Sequence, residues 1–247
     1  MRIIIISANS KKLLEMPKVS ICIPTYNRFE MTMEAIQHVY HDERVGEVII
    51  VDDCSNMDVY MKLVMAADAA PKIKLFRNEK NLDCYLNKRE AVSFASNDFV
   101  CLWDSDNIFT TEYLDRIYSY DWSPGVIFQP SFASPHFDYT RYERLVITKN
   151  NVASYMQKPL FPTLLNTCNF FVNRDEYLSV FDDKVEPVTS DSIYFNYCWI
   201  AAGNSIFVVP NLSYTHRVHS QSHYQNNVHR TPNLFHEHTE QKLMYLT

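Results

Sequence analysis

Three acidic groupings carry most of the chemistry in this sequence: Asp52-Asp53 in EVIIVDDCS, Asp104-Ser105-Asp106 in FVCLWDSDN, and Asp191 in VTSDSIYF. Two carboxylates two residues apart after an apolar run can both turn oxygens toward one hard cation. Mg²⁺ or Mn²⁺ accepts such ligands together with the phosphate oxygens of a substrate. The same residues also suit ordinary turns, because short acidic side chains bond nearby backbone amides. Asp191, behind Thr189-Ser190 and ahead of an amphipathic stretch, reads equally as a helix N-cap or as a general base. Further on, Tyr214-Thr215-His216-Arg217-Val218-His219 brackets a guanidinium with two imidazoles. Arginine suits a diphosphate, and either histidine suits a metal or a phosphate contact. His223, His229, His236 and His238 are scattered through the tail, and HEHTE alone assigns no zinc site.

These groups need a frame that brings them together, and the first half of the chain supplies one. Val19–Ile23, Glu47–Val51, Lys72–Phe76 and Phe99–Trp103 read as buried strands. Between them, 28–41, 59–69 and 84–95 have helical spacing, with Met31, Ala35, Ile36 and Val39 on one face of the first. Strict alternation predicts βαβ units on a parallel sheet with helices on both faces. Ligands of such sheets bind beyond the carboxyl ends of the strands. The strands end in Pro24-Thr25-Tyr26-Asn27-Arg28, Asp52-Asp53-Cys54-Ser55, Arg77-Asn78-Glu79 and Asp104-Ser105-Asp106-Asn107. Two acidic clusters and an aromatic at one sheet edge could hold a base, a ribose and a metal-bound diphosphate.

The second half predicts a helix over 111–118, strands over 126–129 and 144–148, a helix over 190–202 ended by Gly203, and a strand over 205–209. No linker, repeat or composition break separates two domains.

Composition narrows the function classes. A net charge of −6 disfavours a general electrostatic grip on nucleic acid. The three glycines, Gly46, Gly125 and Gly203, are far apart, so neither a P-loop nor a GxGxxG fingerprint is present. None of the six cysteines forms a CxxC pair, and Cys22 and Cys101 lie in apolar runs, which favours a reducing compartment over a disulfide framework. No apolar run is long enough to span a bilayer, and RIIII at the N-terminus is too short for a secretory signal. The expectation is a cytoplasmic protein with no transmembrane segment, which leaves room for peripheral membrane contact.

VSICIPTYNR, EVIIVDDCS, LFRNEKNLDCYLNKREAV and FVCLWDSDN, in that order from about Val19 to Leu114, resemble the nucleotide-binding half of an inverting family 2 glycosyltransferase. The resemblance implies the α/β GT-A fold, Rossmann-like, with a central, mainly parallel sheet flanked by helices. It implies a single domain over 1–247, with a nucleotide-sugar-binding half at about 19–107, an acceptor-binding half at about 108–220, and a C-terminal tail over 221–247. The implied activity is metal-dependent transfer of a hexosyl or N-acetylhexosaminyl group from a nucleotide diphosphate sugar, with inversion at the anomeric carbon.

Carried over by position, Pro24 and Tyr26 line the base pocket, and Asp53 bonds the uracil or thymine ring or its ribose, on a loop supported by Asp52. Arg28, Lys88 and Ser105 join the nucleotide-binding set. Asp104 and Asp106 match the DxD element that binds Mn²⁺ or Mg²⁺, with Asp106 the stronger direct ligand and Asp104 nearer the ribose. Arg217 neutralises the diphosphate, His219 or His216 gives a third metal ligand, and Asp191 is the catalytic base. The sequence departs from the family at Asp83, where glycine is usual, and at Lys88-Arg89, where an arginine-asparagine pair is usual. That leaves open whether Lys88 or Arg89 approaches the nucleotide.

Asp53 and Tyr26 suit a pyrimidine, so UDP sugars come first as donors and dTDP sugars second. The acceptor is a glycan or a lipid-linked or protein-linked sugar, and the aromatic segment from Phe128 to Tyr142 either stacks on sugar rings or belongs to the core. Two other readings compete: a sugar nucleotidyltransferase, which usually has a glycine-rich loop where Pro24–Arg28 stands, and a catalytically inactive nucleotide-sugar-binding module.

Overall fold

In a computed structural model that describes residues 16–219, 222 and 233–246, every strand expected in the first half forms. The N-terminal RIIII, His223 and His229 lie outside the described residues. β1 (Val19–Thr25) is buried along its length. Side chains alternate across a strand. Val19, Ile21 and Ile23 therefore join one core with Ala35 and Ile36 of α1 (Phe29–Ile36) and Leu63 of α2 (Met57–Ala69), while Cys22 joins a second core with Tyr85, Ala91 and Val92 of α3 (Asp83–Ser93). β2 (Val45–Asp52), β3 (Ile73–Arg77) and β4 (Phe99–Leu102) complete a parallel set in the order β3-β2-β1-β4. Both faces are covered by helices, which is why these strands read as continuous apolar runs.

α1 stops at Ile36, short of the predicted 41. The Val39 amide turns back to the Ile36 carbonyl at 3.0 Å, and the Ala35 carbonyl accepts instead from the Phe109 amide at 3.0 Å. A tertiary hydrogen bond thus replaces the next helical one.

The second half extends the same sheet as β4-β8-β5-β9-β7. It comprises α4 (Thr111–Tyr118), β5 (Val126–Ser134), β6 (Phe137–Asp138), β7 (Val146–Ile147), α5 (Val152–Tyr155), α6 (Phe161–Leu165), β8 (Phe170–Asn173), α7 (Arg174–Val180), α8 (Asp191–Ala201), β9 (Ser205–Thr215) and α9 (Asn233–Met244). β8 inserts antiparallel between β4 and β5, while β5 and β9 are parallel to each other. Sequence patterning misses β8, whose four residues are too few to show a period. β9 runs to Thr215 rather than ending at Val209. Pro210-Asn211 resembles a strand end, but the chain absorbs it with Asn211 at φ 56° and a register shift opposite Pro130 and Phe132. That extension carries His216 and Arg217 back to the edge where β1 and β4 end. Among the described residues no helix is long and apolar enough to cross a membrane, and all six cysteines are unpaired.

Candidate active site

β1 has β2 on one side and β4 on the other, so the chain reverses direction of sheet growth at this point, where a crevice is expected. A cavity of about 970 Å³ opens there. Pro24, Tyr26, Arg28, Asp53, Lys88, Asp104, Ser105, Asp106, Asp191 and His236 are among its lining residues.

The loops after β1 and β2 are laced to each other. Asn27 and Cys54 take left-handed φ values of 53° and 61°, and the Asn27 amide donates to Ser55 Oγ at 2.7 Å while the Asn56 amide donates to Asn27 Oδ1 at 2.8 Å. Asp52 does not line the cavity. It is fully buried beneath the loop, 3.1 Å from Arg77 and accepting from the Ser55 amide at 3.2 Å. Asp53 does reach the cavity, with Oδ1 accepting from the Leu82 amide and from Asn78 Nδ2, both at 2.8 Å. Burial raises the Asp53 carboxyl against the pull of those bonds.

Lys88 is the centre of the site. Its Nζ lies 2.7 Å from Asp191 Oδ2 and 3.2 Å from Asp104 Oδ1, tying α3 to α8 and to the end of β4. Burial alone would lower the ammonium, but the Asp104 and Asp191 carboxylates outweigh it and hold its pKa well above the ordinary lysine value. Arg89, next in sequence, pairs with Glu90 at 2.8 Å and does not line the cavity. Of the two basic residues, Lys88 is therefore the one that faces the ligand space. Asp191 opens α8 rather than capping it: Ser190 occupies the cap position without a capping bond of its own, and Asn166 Oδ1 accepts from the Ile193 amide in the first turn at 3.1 Å. The Asp191 carboxylate points to Lys88 instead.

Asp104 and Asp106 diverge. The Asp104 amide donates to Asn169 Oδ1 at 2.8 Å, and Asn169 Nδ2 donates to Asp104 Oδ2 at 3.4 Å. Asp106 Oδ2 takes Arg28 at 2.8 Å and His219 Nε2 at 3.0 Å. His219 reaches the cavity's edge through Asp106 and is not itself among the lining residues. Arg217 lines the cavity, yet its guanidinium donates to the Asp106 carbonyl, to Glu34, and at 3.1 Å to the Met31 carbonyl. It clamps the loop after β4 onto α1. His216 Nδ1 sits 3.0 Å from His136 Nδ1, and burial together with that neighbour lowers its pKa.

Among the described residues, no three His, Cys, Asp or Glu side chains converge to hold a metal by themselves. Asp106 and His219 nevertheless form a two-donor set of carboxylate and imidazole, which suits Mn²⁺. A hard cation held there would need further oxygen ligands, of the kind a diphosphate carries.

Sequence reasoning missed Asn169, His236 and Glu240. Asn169 adopts φ 66° just before β8 and braces Asp104, but its contact lies 65 residues away, and no local pattern announces it. His236 and Glu240 both line the cavity from α9. Their four-residue spacing in HEHTE was the available signal. In the aromatic segment 128–142, Phe128, Tyr139 and Tyr142 are buried in the core, and of that segment Phe137 alone lines the cavity.

The sequence profile described as Glycosyl transferase family 2 matches residues 20–180, more than half of the chain. The colanic acid biosynthesis glycosyl transferase WcaA of Escherichia coli (strain K12) is 24% identical over 151 residues, covering 55% of this chain and 54% of that protein. An uncharacterized glycosyltransferase of Rickettsia bellii (strain RML369-C) is 26% identical over 165 residues, 64% of this chain but 22% of its own length. The chain thus spans about half, or less, of these relatives. Among solved structures, the mannosyltransferase PcManGT of Pyrobaculum calidifontis, in complex with GDP-Man and Mn²⁺, superposes with a TM-score of 0.65 at 17% identity, covering 94% of this chain and 70% of that one. S. aureus TarS 1-349 in complex with UDP-GlcNAc gives 0.63 at 16% identity, with 92% and 70% covered. At such identities the likeness speaks for the fold, which is GT-A.

Proposed function

Because the chain belongs to glycosyl transferase family 2, we propose that it is a metal-dependent, inverting glycosyltransferase that moves a hexosyl or N-acetylhexosaminyl group from a UDP sugar to the hydroxyl of a glycan or of a lipid-linked or protein-linked sugar. A dTDP sugar is the second donor choice, and the cytoplasm, where six unpaired thiols persist, is the place of action. The observation that carries this reading is Lys88, which bridges the DxD element and Asp191 across one cavity.

In this arrangement Pro24 and Tyr26 hold the base, and Asp53 accepts a hydrogen bond from the pyrimidine or its ribose. Ser105 and Asp104 face the ribose, and Arg28, beside Asp106, meets the diphosphate. Asp106 and His219 would hold a divalent cation, which would supply neutralisation of diphosphate charge. Lys88 occupies Asp191 Oδ2, so Asp191 Oδ1 is the oxygen that takes the acceptor proton. As that proton transfers, the acceptor oxygen bonds to the anomeric carbon, the bond from that carbon to the diphosphate breaks, and its electron pair leaves with the nucleoside diphosphate. Attack on the face opposite the leaving group inverts the centre. The loop Pro24–Arg28 contains no glycine, which weighs against a nucleotidyltransferase.

The test is Asp191→Asn. Nucleotide binding should persist while transfer, or slow donor hydrolysis, falls by roughly 10²–10⁴-fold, the usual contribution of a positioned general base. Near wild-type turnover would remove Asp191 from the chemistry.

A further inference from the structure

α9 contributes two lining residues to the cavity, neither of them among the donor-binding residues. α9 is fixed against α8 by its apolar side: Leu243 is fully buried, the Phe235 ring lies 5.3 Å from that of Tyr194, and Lys242 Nζ stands 5.4 Å over Tyr197. Gln157 Nε2 meets Met244 Sδ at 3.7 Å from α5's side. Another face of the helix, one turn apart at positions i and i+4, carries His236 and Glu240 into the cavity. His236 Nδ1 lies 2.8 Å from Ser190 Oγ, immediately before Asp191, and His236 Nε2 lies 3.4 Å from Glu240 Oε1.

We propose that His236 and Glu240 form an acceptor subsite for a neutral saccharide ring, recognised through its hydroxyl groups. The inference rests on the glycosyltransferase reading above and names what binds where α9 lines the cavity. Ser190 is buried and carries no exposed nucleophile, so the Ser190–His236–Glu240 chain orients the imidazole. Adjacent ring hydroxyls match that pair: one donates to a Glu240 oxygen, and its neighbour exchanges a hydrogen bond with the imidazole. Charge selects the class of acceptor. Lys88, the one lysine among the described lining residues, already faces two carboxylates, and Glu240 adds negative charge to the cavity that Asp191 lines, so a uronate or phosphosugar meets like charge and is disfavoured. Size agrees, since about 970 Å³ lies near the top of the roughly 300–1,000 Å³ range for single-ligand pockets.

Saturation-transfer NMR on the whole chain with UDP and Mn²⁺ tests the subsite, using methyl β-glucoside, methyl β-galactoside and methyl N-acetyl-β-glucosaminide against the anionic methyl β-glucuronide. At least one neutral glycoside should give signal, and the glucuronide none. Glu240→Gln and His236→Ala should each weaken it roughly tenfold or more, as the loss of a charged hydrogen bond does. Glu237→Gln, the same charge change at an exposed position of α9, should not. Equal signals from the Glu240→Gln and Glu237→Gln variants, no glycoside signal beside a clear UDP signal, or a glucuronide that binds as well as the neutral rings would each overturn the subsite. Loss of the UDP signal in the wild-type protein would overturn the donor reading itself, and the subsite with it.

Discussion

Replacing Lys88 with methionine keeps the length of the side chain and removes its charge, leaving Asp104 and Asp191 facing each other. The side chains of Lys88 and Asp191 are 10% and 12% exposed, and that of Asp104 is 30% exposed. Breaking a buried ion pair by deleting one partner costs about 3–5 kcal/mol. The open cavity lets water reach Asp104, so the lower end, about 3 kcal/mol, is expected. For a chain of this size that corresponds to a fall of roughly 6–12 °C in Tm. The sign with pH is definite. The Lys88 pKa is raised in the folded state, so its contribution is fully present below the unfolded value of about 10.4 and is lost only as pH rises through the higher folded value. Urea unfolding at pH 7.5 therefore sees the whole effect. Adding Asp191→Asn to Lys88→Met removes one of the two opposed charges, so the double variant should be more stable than Lys88→Met alone, with a coupling of about 1–3 kcal/mol. Lys88→Met within about 0.5 kcal/mol of wild type, the range of ordinary surface substitutions, or strict additivity in the cycle, would refute the clamp.

Two other outcomes test separate parts of the structure, one in the cavity and one in the sheet. In titration calorimetry, Mn²⁺ should tighten UDP binding by the wild-type protein and have no effect on Asp106→Ala, since that variant loses the carboxylate to which both Arg28 and His219 bond; an unchanged Mn²⁺ response would remove Asp106 from the metal site. Glu47, in the sheet far from the cavity, is raised by burial but brought down to about 2 by Lys74 at 2.5 Å, Ser20 Oγ at 2.6 Å, and the Ser96 amide and hydroxyl at 2.6 and 2.9 Å. Its folded value lies below the unfolded one, so its stabilisation is complete above about 4.3 and is lost as pH falls toward the folded value. Acid unfolding of Glu47→Gln should be flatter across that window, and parallel acid limbs for the two proteins would contradict the assignment.

Much of this protein is legible in its sequence because its signals are local. The run VSICIPT is apolar on both faces, so it must be a strand covered by helices on both sides. The polar residues after it, and after VIIVD and FVCL, must then gather at one edge, because parallel strands share a carboxyl end. That logic places Pro24, Tyr26, Asp53, Asp104 and Asp106 at the edge where the cavity lies. Strand pattern alone does not separate Asp52 from Asp53, which only the family resemblance assigned to loop support and to the nucleotide, because alternation along the chain puts neighbouring side chains in opposite environments and packing says which is inside.

What the tertiary structure alone decided are the contacts between distant elements. Lys88 and Asp191 are 103 residues apart, and neither helix carries a mark that the other will meet it. The short β8 enters the sheet because it is flanked by β4 and β5 that need partners, a requirement no four-residue pattern can display. Asn169 is set against Asp104 by that insertion. His236 and Glu240 reach the cavity only because the apolar side of α9 docks on α8. Local propensity reads dihedral preferences and periods over a few residues, whereas these placements come from burying surface against whatever the rest of the chain has already built.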